Sequence, residues 1–431
     1  MASTARSNVL EALKYGYGSD RVEHMANEEI PIYNILSKVK KDGGGRGMHI
    51  IPILVQNAGA FTGIAEGGAL PAGIAPDTQE AVFDMTEYVG LYELSWKLIQ
   101  DARTSKFAFQ TAVQVCDGGL RRKIFRHLNS DFMGTGKGEL FTITGADAST
   151  VVTSYYLPRV MQGDIVDVMD LSDDDAKVGD SLTVQAVDPV NKTVDLSGAL
   201  TGEAAGDYGV LQDTTDANSG TAINYHTNGL LGIIDSANPA TVVGNYGGIN
   251  RSTAGNEFWQ SVELTNGGTN RPLSEDLLLQ AMDQARVKGN GKITHWLSNL
   301  SIVQRYHEIL AAERFFALSR PGTLSGGIGR EKFGDGKDDQ GDGRTPYEFS
   351  GIPWHVDPYF TNNTILGLNT DELYLLTGEN DTPRPISEIF EGQSFFRETS
   401  NATYEVAWYY QCEVVCPNPS SQVKIADVSE A

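Results

Sequence analysis

Residues 57–78 read NAGAFTGIAEGGALPAGIAPDT, and thirteen of these twenty-two residues are glycine, alanine or proline. The stretch separates two strand-like runs at 48–55 and 82–96. A plain hairpin turn needs only two to five residues, and structureless loops beyond about 12–15 residues are uncommon unless they have a function. The sequence therefore predicts a long two-stranded arm with a pliable tip. Such an arm cannot bury a core of its own and must lie on another surface.

A second stretch predicts the longest helix of the chain. Its apolar residues recur every three or four positions along one face: Phe109, Val113, Cys116, Leu120, Ile124, Leu128 and Phe132. At 1.5 Å per residue the stripe spans roughly 36 Å. Gly118 and Gly119 lie inside it and should weaken the helix by about 1 kcal/mol each relative to alanine. Four basic residues lie mostly off the stripe: Arg121, Arg122, Lys123 and Arg126.

Residues 158–213 predict a separate small β unit. Short β-rich runs at 163–169, 180–187, 192–196 and 207–212 are divided by turn residues. The unit holds three basic and twelve acidic residues, whereas 97–137 holds eight basic and three acidic residues. The pattern is typical of a compact barrel inserted into a larger domain, and we expect this insertion to be self-contained.

The rest of the chain predicts a mixed α/β region. Ser274 can cap a helix that runs to Arg286 and ends before Gly289. A further helix is predicted at 301–312, and strands are predicted at 293–297, 353–356, 364–368 and 372–376. The clearest strand alternates apolar residues on one face: Val406, Trp408, Tyr410, Cys412, Val414 and Cys416.

The composition argues against several classes of protein. The 431 residues carry a formal net charge of -23, which argues against a dedicated nucleic-acid reader because phosphate contacts need lysine and arginine. No apolar run approaches 18 residues, so no membrane span is predicted, and the N-terminus lacks an apolar signal core. The three cysteines are too few and too scattered for a disulfide framework. We expect an ordinary globular protein with reduced thiols.

No motif defines a catalytic, cofactor or metal site. The glycine-rich stretch 134–138 lacks the first glycine and the serine or threonine of a phosphate loop, and it ends a helix instead of opening one. The acidic stretch 335–343 resembles a calcium loop, but its twelfth position is Phe349 where the bidentate glutamate should stand. An acidic metal-dependent hydrolase using Asp338 and Asp342 stays an alternative without a defined ligand set.

Four passages, in this order, resemble the major capsid proteins of tailed bacteriophages. Residues 60–71, leading into 87–95, look like the family's E-loop, a long hairpin that overlaps a neighbouring subunit. Residues 97–103 and the long helix are similar to its spine helix and the approach to it. Residues 349–356 resemble the turn that leads into the peripheral domain's last strands, and 396–425 resemble the C-terminal strands. The family has the Hong Kong 97-type capsid fold, an α+β fold, and its members are structural proteins, not enzymes.

The resemblance also divides the chain. We expect an N-terminal arm, an E-loop hairpin, the spine helix with part of the peripheral domain, the inserted barrel-like β domain, a mainly axial domain, peripheral-domain strands, and C-terminal strands with a tail. In that order these occupy residues 1–47, 48–96, 97–157, 158–213, 214–352, 353–400 and 401–431.

The function implied by the resemblance is that of a shell subunit. It would self-assemble into pentamers and hexamers of an icosahedral capsid around double-stranded DNA, in the host bacterium's cytoplasm, and remain in the virion. Its partners would be other copies, a separate scaffolding protein, a portal and a possible decoration protein, with neither a cofactor nor a membrane. An encapsulin-type cellular compartment is the alternative within the fold, and the contents of the particle would separate the two.

Two sets of site residues follow from the resemblance. The first would dock the E-loop tip on a neighbouring subunit: Phe61, Ile64, Leu70 and Ile74. The second would face the packaged DNA inside the shell, without reading bases: Arg121, Arg122, Lys123 and Arg126. The acidic insertion would then point outward.

We expect this shell to lack covalent lysine cross-links. Some members of the family join subunits by an isopeptide bond between a lysine near the E-loop tip and an asparagine of a neighbour. The bond needs an amine nucleophile, which arginine cannot supply because it stays protonated, and residues 47–96 contain no lysine. Mature particles boiled in detergent and reductant should run as a single band near 46.6 kDa. A ladder of covalent multimers would contradict this prediction.

Overall fold

The computed structural model describes residues 31–40, 49–56, 59–64, 66–73, 75–96, 106–144, 151–155, 159–170, 177–188, 191–200, 202–212, 226–237, 245–317, 347–378, 383–385, 396–397 and 403–430. Most of the predicted N-terminal arm, the acidic stretch 335–343 and Ile74 lie outside these ranges.

The described α-helices are α1 (Pro31–Ile35), α2 (Lys106–Met133), α3 (Leu230–Ile233), α4 (Glu275–Gly289) and α5 (Leu300–Ala317). Helix α2 is the predicted long helix, and it continues through Gly118 and Gly119 without a break. Near its end it packs on α1, where the rings of Tyr33 and Phe132 stack with their centroids 6.4 Å apart.

Helix α4 begins as predicted and ends later. The Ser274 side chain accepts a hydrogen bond from the Leu277 amide and caps the helix. The helix continues to Gly289, because Asn290 and not Gly289 takes the left-handed conformation that ends it (φ 49°).

The described strands are numbered in chain order. They are β1 (Ser37–Lys40), β2 (His49–Gln56), β3 (Asp77–Phe83), β4 (Thr86–Ser95), β5 (Phe141–Ile143), β6 (Val151–Tyr155), β7 (Ile165–Met169), β8 (Lys177–Asp188), β9 (Thr193–Leu196), β10 (Tyr208–Leu211), β11 (Val262–Leu264), β12 (His295–Ser298), β13 (Tyr347–Phe349), β14 (Ile352–Val356), β15 (Ile365–Leu368), β16 (Tyr374–Thr377), β17 (Arg384–Pro385), β18 (Phe396–Arg397), β19 (Thr403–Val415) and β20 (Val423–Ile425).

Two sheets organise the molecule. In the first, which we call the β19 sheet, the order is β1-β16-β19-β17, and β4 and β18 also pair with β19. The predicted alternation is present in β19, whose buried Val406, Trp408 and Tyr410 alternate with half-buried residues. In the second, which we call the β12 sheet, the order is β11-β20-β15-β12-β14-β13.

The predicted arm is a hairpin, but its second strand differs from the predicted one. Strand β2 pairs antiparallel with β3, which begins at Asp77. Strand β4 leaves the hairpin and pairs with β19 along its whole length, so the predicted run 82–96 contains parts of two strands. Ala81 and Phe83 are buried at the base of the hairpin, and Phe83 lies 5.1 Å from Tyr246 between ring centroids. The core therefore anchors the hairpin at its base.

The predicted insertion is a closed barrel in the order β10-β5-β6-β9-β8-β7. It includes β5 and β6, which lie within the segment 97–157 that the sequence predicts to be separate from the barrel. The boundary predicted at 158 therefore lies too late in the chain. These two strands are short, and their place in the barrel depends on pairing with β10 and β9, which are distant in sequence. One pairing needs a glycine, because a Cβ on Gly209 would lie 2.1 Å from the Phe141 ring.

Three of the hydrophobic clusters among the described residues form the cores of these units. The largest lies between the end of α2, the hairpin base and the β19 sheet. The second packs α4 and α5 on the β12 sheet, where Tyr306 and Trp354 rings lie 5.2 Å apart. The third fills the barrel. The end of α2 is the place where the barrel, the hairpin and the β19 sheet come together.

Candidate assembly surfaces

The hairpin tip exposes the apolar side chains that the sequence assigned to a neighbouring subunit. Phe61 is 105% exposed, Leu70 is 84% exposed and Ile64 is 51% exposed. Ile74, the fourth predicted contact residue, lies outside the described residues. Between 57 and 76 the only charged residue is Glu66. A single copy therefore leaves a cluster of apolar groups in water at the end of a supported arm.

The four basic residues predicted on α2 do not form one surface. Arg121 is exposed, and its guanidinium lies 5.6 Å from the centre of the Phe125 ring. Arg122 is half-buried. Arg126 is buried, and its Nη2 donates a 2.9 Å hydrogen bond to Asp164 Oδ2. The prediction that Arg126 faces packaged DNA is therefore wrong, because a carboxylate of the same chain already neutralises it.

Asp164, at the start of β7, fastens the barrel to α2. Its carboxylate is buried and also lies 3.1 Å from Lys123 Nζ, which is 47% exposed. The Met161 amide donates a further 2.9 Å hydrogen bond to it. Burial lowers the pKa of Arg126, and Asp164 acts in the opposite direction. Lys123 and Arg126 thus lie on the side of α2 that carries the barrel, so they cannot face the lumen while the barrel points outward.

A second buried arginine ties the barrel to the rest of the chain. Arg159 is 1% exposed, and its Nε donates a 2.7 Å hydrogen bond to the carbonyl of Tyr359. Its Nη1 donates to the carbonyl of Glu139 at 3.0 Å. With the Asp164 contacts, these bonds fix the barrel in one orientation, and they do not support the expected self-contained insertion.

A buried polar junction joins α2 to the strand that follows the hairpin. The Tyr88 hydroxyl on β4 donates a 2.8 Å hydrogen bond to Asp131 of α2. His226 Nδ1 lies 3.0 Å from the same carboxylate, and the Thr227 amide donates to the Tyr88 hydroxyl. Burial, and then Asp131, raise the pKa of Tyr88 well above its usual range. The junction holds the hairpin's return strand against the helix.

Glu413 of β19 completes this junction. Its carboxyl accepts hydrogen bonds from the Asn228 amide at 2.9 Å and from the Asn228 side chain at 2.6 Å, with Thr86 Oγ1 at 3.4 Å on its second oxygen. Burial raises the pKa of this carboxyl to about 8, against the lowering effect of the hydrogen bonds. Nothing in the sequence marks Glu413, because it stands in a strand as one acidic residue among many.

The whole arrangement has a counterpart among solved structures. The chain is similar to the cyanophage A-1(L) capsid asymmetric unit, with a TM-score of 0.57, 12% identity and 96% of each chain covered. The chain has the Hong Kong 97-type capsid fold. Helix α2 and the β2–β3 hairpin are the elements that the sequence analysis compares with the spine helix and the E-loop of that fold.

Two further structures match over nearly their whole length with lower scores. The capsid of an empty GTA particle has a TM-score of 0.44 at 11% identity, with 98% of this chain and 99% of that chain covered. An encapsulin complex from Synechococcus elongatus PCC 7942 has a TM-score of 0.41 at 9% identity, with 97% and 95% covered. The fold assignment rests on the cyanophage capsid. No family model and no curated protein matches the sequence.

Some of the motifs that the sequence analysis set aside lie within the described residues. Residues 134–138 form the turn after α2, where Lys137 is buried 4.8 Å from the centre of the Tyr208 ring. Burial raises the pKa of Cys412 and that of Cys416, the latter to about 12. Asp338 and Asp342 lie outside the described residues.

The described ranges hold neither a cluster of metal-binding side chains nor a membrane-spanning helix. Within those ranges, no cluster of three or more histidine, cysteine, aspartate or glutamate side chains could hold a metal ion. None of the described helices combines the length and apolar character that crossing a bilayer requires.

We expect Asp164→Asn to destabilise the subunit by about 3 kcal/mol, because it leaves the buried Arg126 without a counter-charge. Adding Arg126→Met should restore much of the loss, since the double variant has no buried charge there. Asp180→Asn, at a barrel carboxylate that is 60% exposed, is the control and should change stability by less than about 1 kcal/mol. Denaturant unfolding of the purified protein measures all three. Equal effects of the two aspartate variants would contradict the role of Asp164.

Glu413→Gln should flatten the dependence of stability on pH. Because the folded pKa is raised to about 8, the folded subunit holds a proton that the unfolded chain releases near pH 4.3. The stabilisation from this group is therefore complete below about pH 4.3 and declines as pH rises toward 8. The free energy of unfolding of the variant, relative to the natural protein, should rise across that interval. Glu405→Gln, half-buried on the same strand, is the control, and a constant difference for Glu413→Gln would refute the assignment.

Proposed function

We propose that this chain is the structural subunit of an icosahedral viral capsid. The E-loop tip carries the proposal: Phe61 and Leu70 are almost fully exposed on a hairpin that the core holds only at its base. An eight-residue strand such as β2 extends about 27 Å, so the tip can reach a neighbouring copy. Apolar contacts of this kind, repeated around pentamers and hexamers, would stabilise a closed shell.

The proposed contents of the shell are double-stranded DNA, bound without sequence preference. Because Arg126 is hydrogen-bonded to Asp164, the exposed Arg121 is the strongest remaining candidate for a phosphate contact on this helix. Arg122 and Lys123 are less available, because one is half-buried and the other pairs with Asp164. The net charge of -23 means that such contacts can offset only a small part of the repulsion from the genome.

The proposed partners are those of a virion subunit. They are other copies of this chain, a separate scaffolding protein, a portal and a possible decoration protein. The subunit would assemble in the host bacterium's cytoplasm and remain in the virion, without a cofactor and without catalysing a reaction.

Electron microscopy of the purified protein, expressed alone and together with a scaffold, tests this proposal. Closed shells or capsomers are the expected result, and a monomer under both conditions would refute it. Particles from infected cells should protect DNA from added nuclease. Particles that contain protein cargo and no DNA would support the encapsulin-type alternative instead.

Phe61→Asp should impair assembly or weaken the assembled shell. It replaces a buried contact, worth about 2 kcal/mol per subunit, with a charge that must lose its water. The unassembled subunit should unfold at an unchanged temperature, because Phe61 is 105% exposed in a single copy. Thr62→Asp places the same charge on the exposed neighbouring residue and should have a smaller effect. Sedimentation of assembly mixtures measures the difference, and normal shells from Phe61→Asp would argue against this contact.

A further inference from the structure

A groove on the β12 sheet, far in the sequence from the E-loop, has the features of a peptide-binding site. It has a volume of about 610 Å³ and lies between helix α4 and strand β11, with Ser236 and Ser261 along it. The helical side of the groove is formed by residues spaced three, four, seven, eight, eleven and twelve positions after the first. They are Asp276, Leu279, Gln280, Asp283, Gln284, Val287 and Lys288.

Two aliphatic side chains in this groove are exposed. Leu279 is 46% exposed and Val287 is 87% exposed, while the core-facing Leu278 and Ala281 of the same helix are fully buried. Helix α4 thus has a second apolar pair in addition to the stripe that packs on the sheet. Burying a large aliphatic side chain that is exposed to water is favourable, so the pair offers two anchor points to a partner.

The opposite side of the groove offers backbone hydrogen bonds. Strand β11 is at the edge of the β12 sheet, and among the described residues only β20 pairs with it. The Val262 amide bonds to β20, and the Leu264 carbonyl accepts a bond from Ala426. Since alternate residues of a parallel strand bond to the same neighbour, the amides of Ser261 and Glu263 point away from β20. The Ser261 amide already donates to the Asp235 carbonyl at 3.1 Å, so the amide and carbonyl of Glu263 are the groups left for a partner. An extended peptide could pair with them, as in recognition by strand addition.

The charges of the groove favour a cationic partner. Asp276 and Asp283 are exposed and have no ion-pair partner among the described residues. The other two charged side chains of the groove already have partners in the same chain. Glu263 pairs with Lys424 at 2.9 Å, and Lys288 donates to the Ser261 carbonyl at 3.0 Å. Two carboxylates therefore remain for a partner, and Asp283 lies midway between the two aliphatic anchors.

The spacing along α4 defines the sequence of the partner. Leu279, Asp283 and Val287 are four residues apart, which is about 6 Å per step at 1.5 Å per residue. Alternate side chains of an extended strand are about 6.7 Å apart. We propose that the groove binds an extended segment of another protein with an apolar residue, a lysine or arginine two positions later, and a second apolar residue two positions after that. The segment would pair with the open edge of β11 while its basic side chain meets Asp283.

A second copy of this chain does not supply such a segment from its described residues. There the pattern falls at Arg122 and Arg126 in the spine helix, at the buried Arg159, at the turn of Lys192 and at Arg314 in α5. None of these is extended and free to leave its own fold. The occupant is therefore a different protein, and the inference is independent of the proposed capsid function.

The experiment uses the full-length protein and a fluorescein-labelled peptide of sequence SLTKTVS, with binding followed by anisotropy. Saturable binding is expected, with at least about tenfold weaker binding of the charge-reversed peptide SLTETVS. Methylating the backbone nitrogens of one alternate set of peptide residues should abolish binding, whereas methylating the other set should not. Equal binding of the lysine and glutamate peptides, or no effect of either methylation, would overturn the proposal.

Variants of the protein test the same groove. Leu279→Asn and Val287→Asn should each weaken binding of SLTKTVS by roughly tenfold, and Asp283→Lys should reverse the preference in favour of SLTETVS. Arg286→Ala, an exposed change on the same helix outside the groove, is the matched control and should bind as the natural protein does. If Leu279→Asn instead blocks assembly and leaves peptide binding unchanged, a second copy occupies the groove and the proposal fails.

Discussion

The last two turns of helix α2 are buried on every side, and the packing of the other units depends on this. Residues 126–133 are all buried, although five of them are polar. A helix normally keeps a polar face toward water, and a buried polar group costs free energy unless it is hydrogen-bonded. The Ser130 hydroxyl has no such partner among the described residues, but three of the other polar side chains do. Arg126 meets Asp164 of the barrel, Asn129 meets Asp357, and Asp131 meets Tyr88 and His226.

Each of these bonds comes from a different part of the chain. The barrel, the loop after β14, the strand that returns from the hairpin and the segment that follows the barrel all reach this one helix end. The apolar residues of the same helix end also contact several parts of the chain. Leu128, Phe132 and Met133 belong to the largest core, together with residues of the hairpin base and the β19 sheet. Helix α2 thus orients the other units through specific hydrogen bonds, while the hydrophobic contacts supply most of the stability.

The sequence predicted the elements whose pattern is local. The stripe from Phe109 to Phe132 and the alternation from Val406 to Cys412 each define an element by its own period, and both elements are present. The contacts between elements had no such signal. Arg126 looked like part of a solvated basic face, because its partner Asp164 lies 38 residues away in an acidic unit that seemed independent. Strands β5 and β6 are too short for a periodic pattern. The groove beside α4 depends on β11 being at the edge of its sheet, and the order of strands in a sheet has no local signal in the sequence.

The central position of β19 has a consequence for when the chain completes its fold. Strand β4, which carries the chain back from the β2–β3 hairpin, pairs with β19, and 322 residues separate Glu87 from its bonded partner Tyr409. Contacts between residues so distant in sequence form slowly, because the intervening loop must close first. During synthesis the ribosome must therefore release β19 before β4 has its sheet neighbour. A nascent chain that lacks β19 leaves β4 unpaired on that side, so this part of the fold forms only when the chain is nearly complete.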